Sequence, residues 1–314
     1  MTVAGKINTL HFGILLFLLA CFFILPAYHV GALSRIMVLA IYAIGLNILF
    51  GYTGLLSLGH AMFFAAGMYG LGLSIKFLGV SVIPAFGIGI LSAAVLSVLV
   101  GLLALRTVGV SFMIVTLMFA QTIYLVVLYF GEYTRGDEGF VLQQAERMLL
   151  NFDVTTEAGR YFVAFGAFSI CLISFAALVQ SSFGKRLVAI RENEERARML
   201  GYDVWRYKLL AVIISGTVSG VAGALYALLF GYVGATFASV QYSILPLLWV
   251  LLGGAGKTIG PLIGVAFMFY LIDASSAYTS AYMLIAGLAL VILTMFAPRG
   301  IAGILQAKVW PWLP

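Results

Sequence analysis

Of the 314 residues, 63% are hydrophobic and 9% are charged, whereas a soluble domain carries about 25% charged residues. That excludes a soluble globular fold and leaves a chain made for a bilayer. The net charge of +6 does not point to nucleic acid, because the basic residues fall at the ends of apolar runs and form no single face.

A hydrocarbon core of about 30 Å takes roughly 20 helical residues. By that ruler the sequence predicts spans at 12–28, 34–50, 59–76, 82–105, 110–130, 160–180 and 208–230, an interrupted apolar stretch at 242–273, and a last span at 279–297. The first run lacks a small-x-small cleavage site and is followed by many spans, so it reads as a retained helix. Cys21 and Cys171 both lie inside apolar runs, with neither metal-ligand spacing nor a disulfide framework.

The interruption is GGAGKTIGP, with Gly253, Gly254, Gly256, Gly260 and Pro261 as its structural residues. It is either a break in one long helix or a tight turn between two short ones. Charge favours two helices, because a single one would strand Lys257 in the bilayer. Ten spans then put both termini in the cytoplasm. Lys6, Arg106, the seven basic residues of 185–208, Lys257, Arg299 and Lys308 fall inside; Arg35, Lys76, Arg135, Arg147 and Arg160 fall outside. The expected fold is an all-α polytopic membrane protein, one transmembrane domain over residues 1–314, with an inner loop at 184–208 and an outer loop at 131–160.

The two long loops agree on that orientation. The outer one carries six acids against three bases, and its VLQQAERMLL segment predicts a short amphipathic helix on the outer surface. The inner one, GKRLVAIRENEERARMLGYDVWRYK, carries seven bases against four acids. It reads as a short helix offered to a partner or, more blandly, as a solvated loop that fixes topology. Gly-Tyr-x-Gly recurs at 51–54 and 231–234, each time after a run ending in Phe and on opposite sides of the membrane. An inverted repeat would do this, and transporters place their substrate path at such paired breaks.

The candidate path residues are polar groups in or beside spans: Asn47, Ser57, His60, Thr116 and Gln121. Each has a bland alternative. Ser57 and His60 read first as helix caps, and buried amides or hydroxyls read first as inter-helix partners. Gln121 is the best path residue of the five. No carboxylate lies deep in a span, as ion pumping would require, so the path is expected to be neutral and driven from elsewhere. GGAGKTIGP is no phosphate-binding loop, since Leu251 stands where the pattern needs glycine. His11, His29 and His60 lack metal-ligand neighbours. No catalytic constellation appears, and neither an enzyme nor a resident cofactor is expected.

In the inner loop, Ala189, Arg191, Asn193, Glu194, Ala197, Gly201 and Lys208 match the pattern Ala-x-Arg-x-Asn-Glu-x-x-Ala-x-x-x-Gly-x-x-x-x-x-x-Lys. This resembles the cytoplasmic loop of the branched-chain amino acid permease family of ABC importers. The segments 46–70, 134–139, 215–228 and 253–264 agree with the same family, although it often carries Thr where Lys257 stands. The resemblance implies a permease subunit in a bacterial cytoplasmic (inner) membrane. Arg191, Asn193, Glu194, Ala197 and Gly201 would form the ATPase-coupling loop, with the small Ala197 and Gly201 seated in the ATPase groove. It also implies a second related permease, two cytosolic ATPase subunits that bind the ATP, a periplasmic or extracellular solute-binding protein, and an amino-acid-like substrate. The rival readings are the same machine for urea, short amides or aromatic acids, an ion-coupled secondary transporter, and a membrane scaffold.

Overall fold

The computed structural model describes residues 3–149, 152–279, 281–296 and 299–308. In chain order its helices are α1 (Val3–Ile24), α2 (Ala27–Asn47), which runs into a π-type turn at Ile48–Tyr52, α3 (His60–Leu78), α4 (Val82–Ala104), α5 (Val110–Tyr129) and α6 (Gly131–Thr134). There follow α7 (Glu157–Gln180), α8 (Ser182–Glu192), α9 (Glu194–Met199), α10 (Val204–Phe230), α11 (Val240–Gly253), α12 (Gly260–Ser276), α13 (Tyr282–Phe296) and α14 (Gly300–Lys308). The chain is an all-α polytopic membrane protein. Among the described residues, six helices are long and apolar enough to cross a bilayer: α2 with its turn, α3, α4, α5, α7 and α10. Shorter apolar helices at Thr9–Ile24, Val240–Gly253 and Gly260–Ser276 accompany them.

Apolar character alone does not decide which helix is central, since α4, α5 and α7 are each more apolar than α2. The most apolar window of α2 is 83% buried, against 22% for α5 and 28% each for α4 and α7. A helix apolar all round is stable only when surrounded by protein or lipid, and α2 is surrounded by α7, α10, α11 and α12. The close packing of α3, α4 and α10 rests on small residues. A Cβ on Gly67 would stand 2.0 Å from the Gly220 carbonyl oxygen, and one on Gly223 1.9 Å from that of Phe64. The Ser-Gly-rich segment at 215–228 is therefore a helix-crossing surface, where the lack of side chains lets backbones meet.

The stretch 242–273 is two helices. Gly253 of α11 lies against Gly260 and Gly264 of α12, and Trp249 against Gly264, so the pair folds back on itself. The inner loop also holds two helices, α8 and α9, because Asn193 between them is extended (φ −160°, ψ 104°).

The outer loop differs from expectation. VLQQAERMLL forms no amphipathic helix but a single 3₁₀ turn at Gln144–Arg147, followed by β2 (Met148–Leu149) pairing antiparallel with β3 (Phe152–Asp153). A run this short cannot recover the cost of helix nucleation without tertiary support, and here the strand pairing competes. Earlier in the loop, β1 (Phe140–Val141) pairs with β4 (Tyr232–Val233), so the outer loop is stitched to the break that follows α10.

Candidate functional site

The charged segment of α8 and α9 is braced from within. Ser181 caps α8, its hydroxyl accepting from the Gly184 N–H, and Asn193 caps α9, its Oδ1 accepting from the Arg196 N–H at 2.8 Å. Gly201 (φ 84°) ends α9 in the left-handed region. The Tyr202 N–H bonds the Ala197 carbonyl and the Gly201 N–H the Arg198 carbonyl. That is the double bond pattern of a Schellman end, which favours glycine at this position. The Arg186 guanidinium donates to the Tyr207 hydroxyl and lies over the Tyr202 and Tyr207 rings. It holds α8 against α10.

Glu194 anchors α9 to α10. Its carboxylate accepts from Lys208 Nζ at 2.5 Å and from Arg198 at 2.7 Å. Burial alone would raise this carboxyl. The hydrogen bond and charge of Lys208, then those of Arg198, outweigh burial and hold it below the usual carboxylate range. A depressed carboxylate stabilises above its unfolded pKa, and that contribution is lost as pH falls through the folded value. The protection factors of the α9 amides, taken against the intrinsic exchange rate at each pH, should therefore fall below about pH 4. Glu194→Gln should remove this acid dependence and destabilise α9 by about 1 kcal/mol, the scale of a part-exposed pair.

The side chain facing a partner is not Ala197. Ala197 is 2% exposed and packs with Ile190 and Val204 inside the segment. Gly201 forms the helix end. What α9 displays outward is Met199, 85% exposed, and Leu200, 67% exposed, beside Glu195, Arg196 and Arg198. Sequence reasoning missed this apolar pair. Its signal was present: two apolar residues stand just before the helix-ending glycine. A cleft of about 480 Å³ opens beside α9, between the 53–56 segment, the α4–α5 turn and the charged groups of Arg191, Glu194 and Lys208.

Four of the five candidate path residues stitch the break that precedes α3. His60 is fully buried, hydrogen-bonded through Nε2 to the Ser215 hydroxyl at 2.8 Å, and that hydroxyl donates to the Gly45 carbonyl. His60 therefore does not cap α3; Ser243 of α11 accepts from the Ala61 N–H instead, at 3.0 Å. Ser57 accepts from the Gly59 N–H, a cap-like bond within the break. Thr116 Oγ1 donates to the Met113 carbonyl and accepts from the Leu58 N–H. Asn47 binds the GGAGKTIGP turn, its Oδ1 accepting from the Gly256 N–H and its Nδ2 donating to the Lys257 carbonyl, both at 2.9 Å. Gln121 stands apart, exposed on the surface of α5. Ser215 and Ser243, each fully buried, had no signal in the sequence, because their partners lie 155 and 182 residues away.

The turn itself is built by its glycines. Gly254 (φ 115°) and Gly256 (φ 76°) take backbone angles closed to other residues, and Pro261 opens α12. Burial, then the charges of Arg191 and Arg299, hold the Lys257 amine below its usual value.

The described residues form a bundle of apolar helices with stitched backbone breaks, and no group of His, Cys, Asp and Glu among them could hold a metal ion. A family model described as "Branched-chain amino acid transport system / permease component" matches residues 28–297. The chain belongs to that family and is a transport permease component, not an enzyme. It is 28% identical over 287 residues to the high-affinity branched-chain amino acid transport system permease protein LivM of Escherichia coli (strain K12), covering 84% of this chain and 68% of that protein. It is 26% identical over 301 residues to the LivM of Salmonella typhimurium, covering 89% and 71%. A shorter likeness, 36% over 85 residues and 27% of this chain, joins it to the L-arabinose transport system permease protein AraH of E. coli (strain K12), of which 26% is covered. No solved structure matches the chain significantly.

Proposed function

We propose that the chain is the transmembrane subunit of an ATP-binding-cassette importer of a bacterial inner membrane, passing branched-chain or related amino acids. It works with a second related permease, two cytosolic ATPases that bind the ATP, and a solute-binding protein at the outer face. The observation that carries this reading is the braced α9 helix presenting Met199 and Leu200. A largely exposed apolar pair at the end of a charged helix fits a pocket on a cytosolic partner.

One transmembrane domain with ten spans and both termini inside accounts for the placement of charge. The inverted-repeat reading is supported by the pairing of parts. The helix before each break packs on the hairpin after the other, α2 on α11 and α12, α10 on α3 and α4. The inner break lies beside Arg191 and the outer one beside Arg147, at opposite ends of the bundle.

In the path, Asn47, Ser57, His60 and Thr116 hold the break, while Gln121 lines the passage. An exposed amide in the middle of apolar α5 is poorly placed against hydrocarbon, so this face turns to the second permease and the solute. The test is labelled-solute uptake by the full complex in proteoliposomes. Leucine, isoleucine or valine should enter only with ATP and loaded binding protein, and Gln121→Leu should slow entry about tenfold with the complex intact. Uptake of urea, short amides or aromatic acids in their place would reassign the substrate, and ATP-independent uptake driven by an ion gradient would overturn the importer reading.

A further inference from the structure

Arg191 is the residue of the coupling segment that leaves it. It sits on the last turn of α8, and its Nη1 donates to the Gly51 carbonyl, inside the π-type turn that ends α2. Its stem packs along Gly54, where an added Cβ would meet Arg191 Cγ at 3.0 Å. The same guanidinium borders the other backbone break: a Cβ on Gly256 would lie 2.9 Å from Arg191 Nη1 and 2.9 Å from the Gly51 oxygen. Gly51 in turn has room for no side chain, because a Cβ there would stand 2.0 Å from Asn47 Oδ1 and 2.5 Å from the Gly256 nitrogen.

Three pieces of backbone thus meet without intervening side-chain bulk. They are the end of α8, the broken end of α2 and the turn joining α11 to α12. Two polar side chains lock them: Arg191 ties the first to the second, and Asn47 ties the second to the third through its bonds to Gly256 and Lys257. Both locked elements have backbone conformations that a small displacement can change, a π-type turn and a turn with two positive-φ glycines. The central helix α2 leaves the same node.

We infer that Arg191 is a positioning residue that carries movement of the coupling segment to the α2 break and, through Asn47, to the 254–259 turn, so that this node opens and closes the inner end of the path. The assignment rests on the importer reading above. It gives Arg191, exposed in the cleft beside α9, an inward role through its bond to Gly51. Coupling carried this way needs an element with two arrangements that both ends can bias, and the π-type turn is that element.

The experiment uses the complete complex with its ATPases and binding protein, comparing wild type with Arg191→Gln and Arg191→Lys. Hydrogen exchange is followed in the peptides spanning 194–200 and 251–260, with and without ATP, beside uptake per ATP hydrolysed. In the wild type both peptides should respond to ATP. In Arg191→Gln the 194–200 peptide should still respond and the ATPases should still co-purify. The 251–260 response should be lost, and uptake per ATP should fall at least tenfold. Arg191→Lys, which keeps the charge and one donor, should recover part of both. An ATP response at 251–260 that is unchanged in Arg191→Gln overturns the relay, as does loss of the ATPases from that variant, which would make Arg191 a docking contact. A wild-type 194–200 peptide indifferent to ATP and ATPase would instead sink the importer reading itself. Should Arg191→Gln not accumulate, Arg191→Lys decides by the same two readouts.

Discussion

Replacing Met199 and Leu200 together by aspartate is expected to strip the ATPase subunits from the purified complex and abolish ATP-driven uptake, with the permease still folded in the membrane. Both side chains are largely exposed on the free subunit, so the folded state gains nothing from them and loses nothing when they change. A docked partner would bury them, and each large apolar side chain removed from water contributes about 1.5–3 kcal/mol. The double change also asks two carboxylates to enter an apolar pocket, which is disfavoured without partners. Affinity should therefore fall by about a thousandfold or more, read by co-purification and by titrating ATPase onto the reconstituted permease. Ala197→Ser, a change on the inward face of the same helix, should weaken docking far less, because Ala197 touches Ile190 and Val204 and not the outside. If the aspartate pair leaves docking intact, α9 is not the contact.

Gly223→Val should prevent the bundle from forming. A Cβ at this position would overlap the Phe64 backbone, 1.9 Å from its oxygen and 2.7 Å from its carbonyl carbon. Two helix backbones would have to separate, and no rotamer relieves a clash with main chain. Overpacking of ordinary side chains costs about 1–3 kcal/mol, and this contact, against backbone, should exceed that. The expected result is loss of folded protein in membranes, with Gly223→Ala already lowering the midpoint of thermal unfolding in detergent. The control is Gly166→Ala in α7, where an added Cβ meets nothing within 4 Å. There the higher helix propensity of alanine should leave stability equal or slightly raised. Equal behaviour of the two alanine variants would show that the α3–α10 crossing is looser than its geometry.

Much of the architecture was written in composition and spacing. Apolar runs of bilayer length mark helices because an unpaired backbone group in hydrocarbon is too costly for anything else. The same economy of polar groups located the two breaks, at 51–60 and 231–243, and the glycine turn at 253–261. Asn193, Glu194 and Gly201 stood out through the family pattern, and in the structure they are a cap, an anchor to Lys208 and a helix end. Roles that depend on distant partners were not legible. Ala197 resembled a contact residue and is core; Arg191, grouped with the coupling loop, is exposed and also donates to the Gly51 carbonyl. His60 resembled a cap and is bound to Ser215, while the cap bond to Ala61 comes from Ser243.

By itself, then, the sequence determined that this protein is a helical membrane permease, where its helices break and which segment concentrates its charge, because those properties follow from local hydrophobicity, charge and backbone freedom. Which side of α9 is presented, which helix lies at the centre, and how the coupling segment touches the α2 break and the 254–259 turn were decided only by the tertiary structure. Those depend on which small residues let two backbones approach, and that is a property of pairs of helices far apart in the chain.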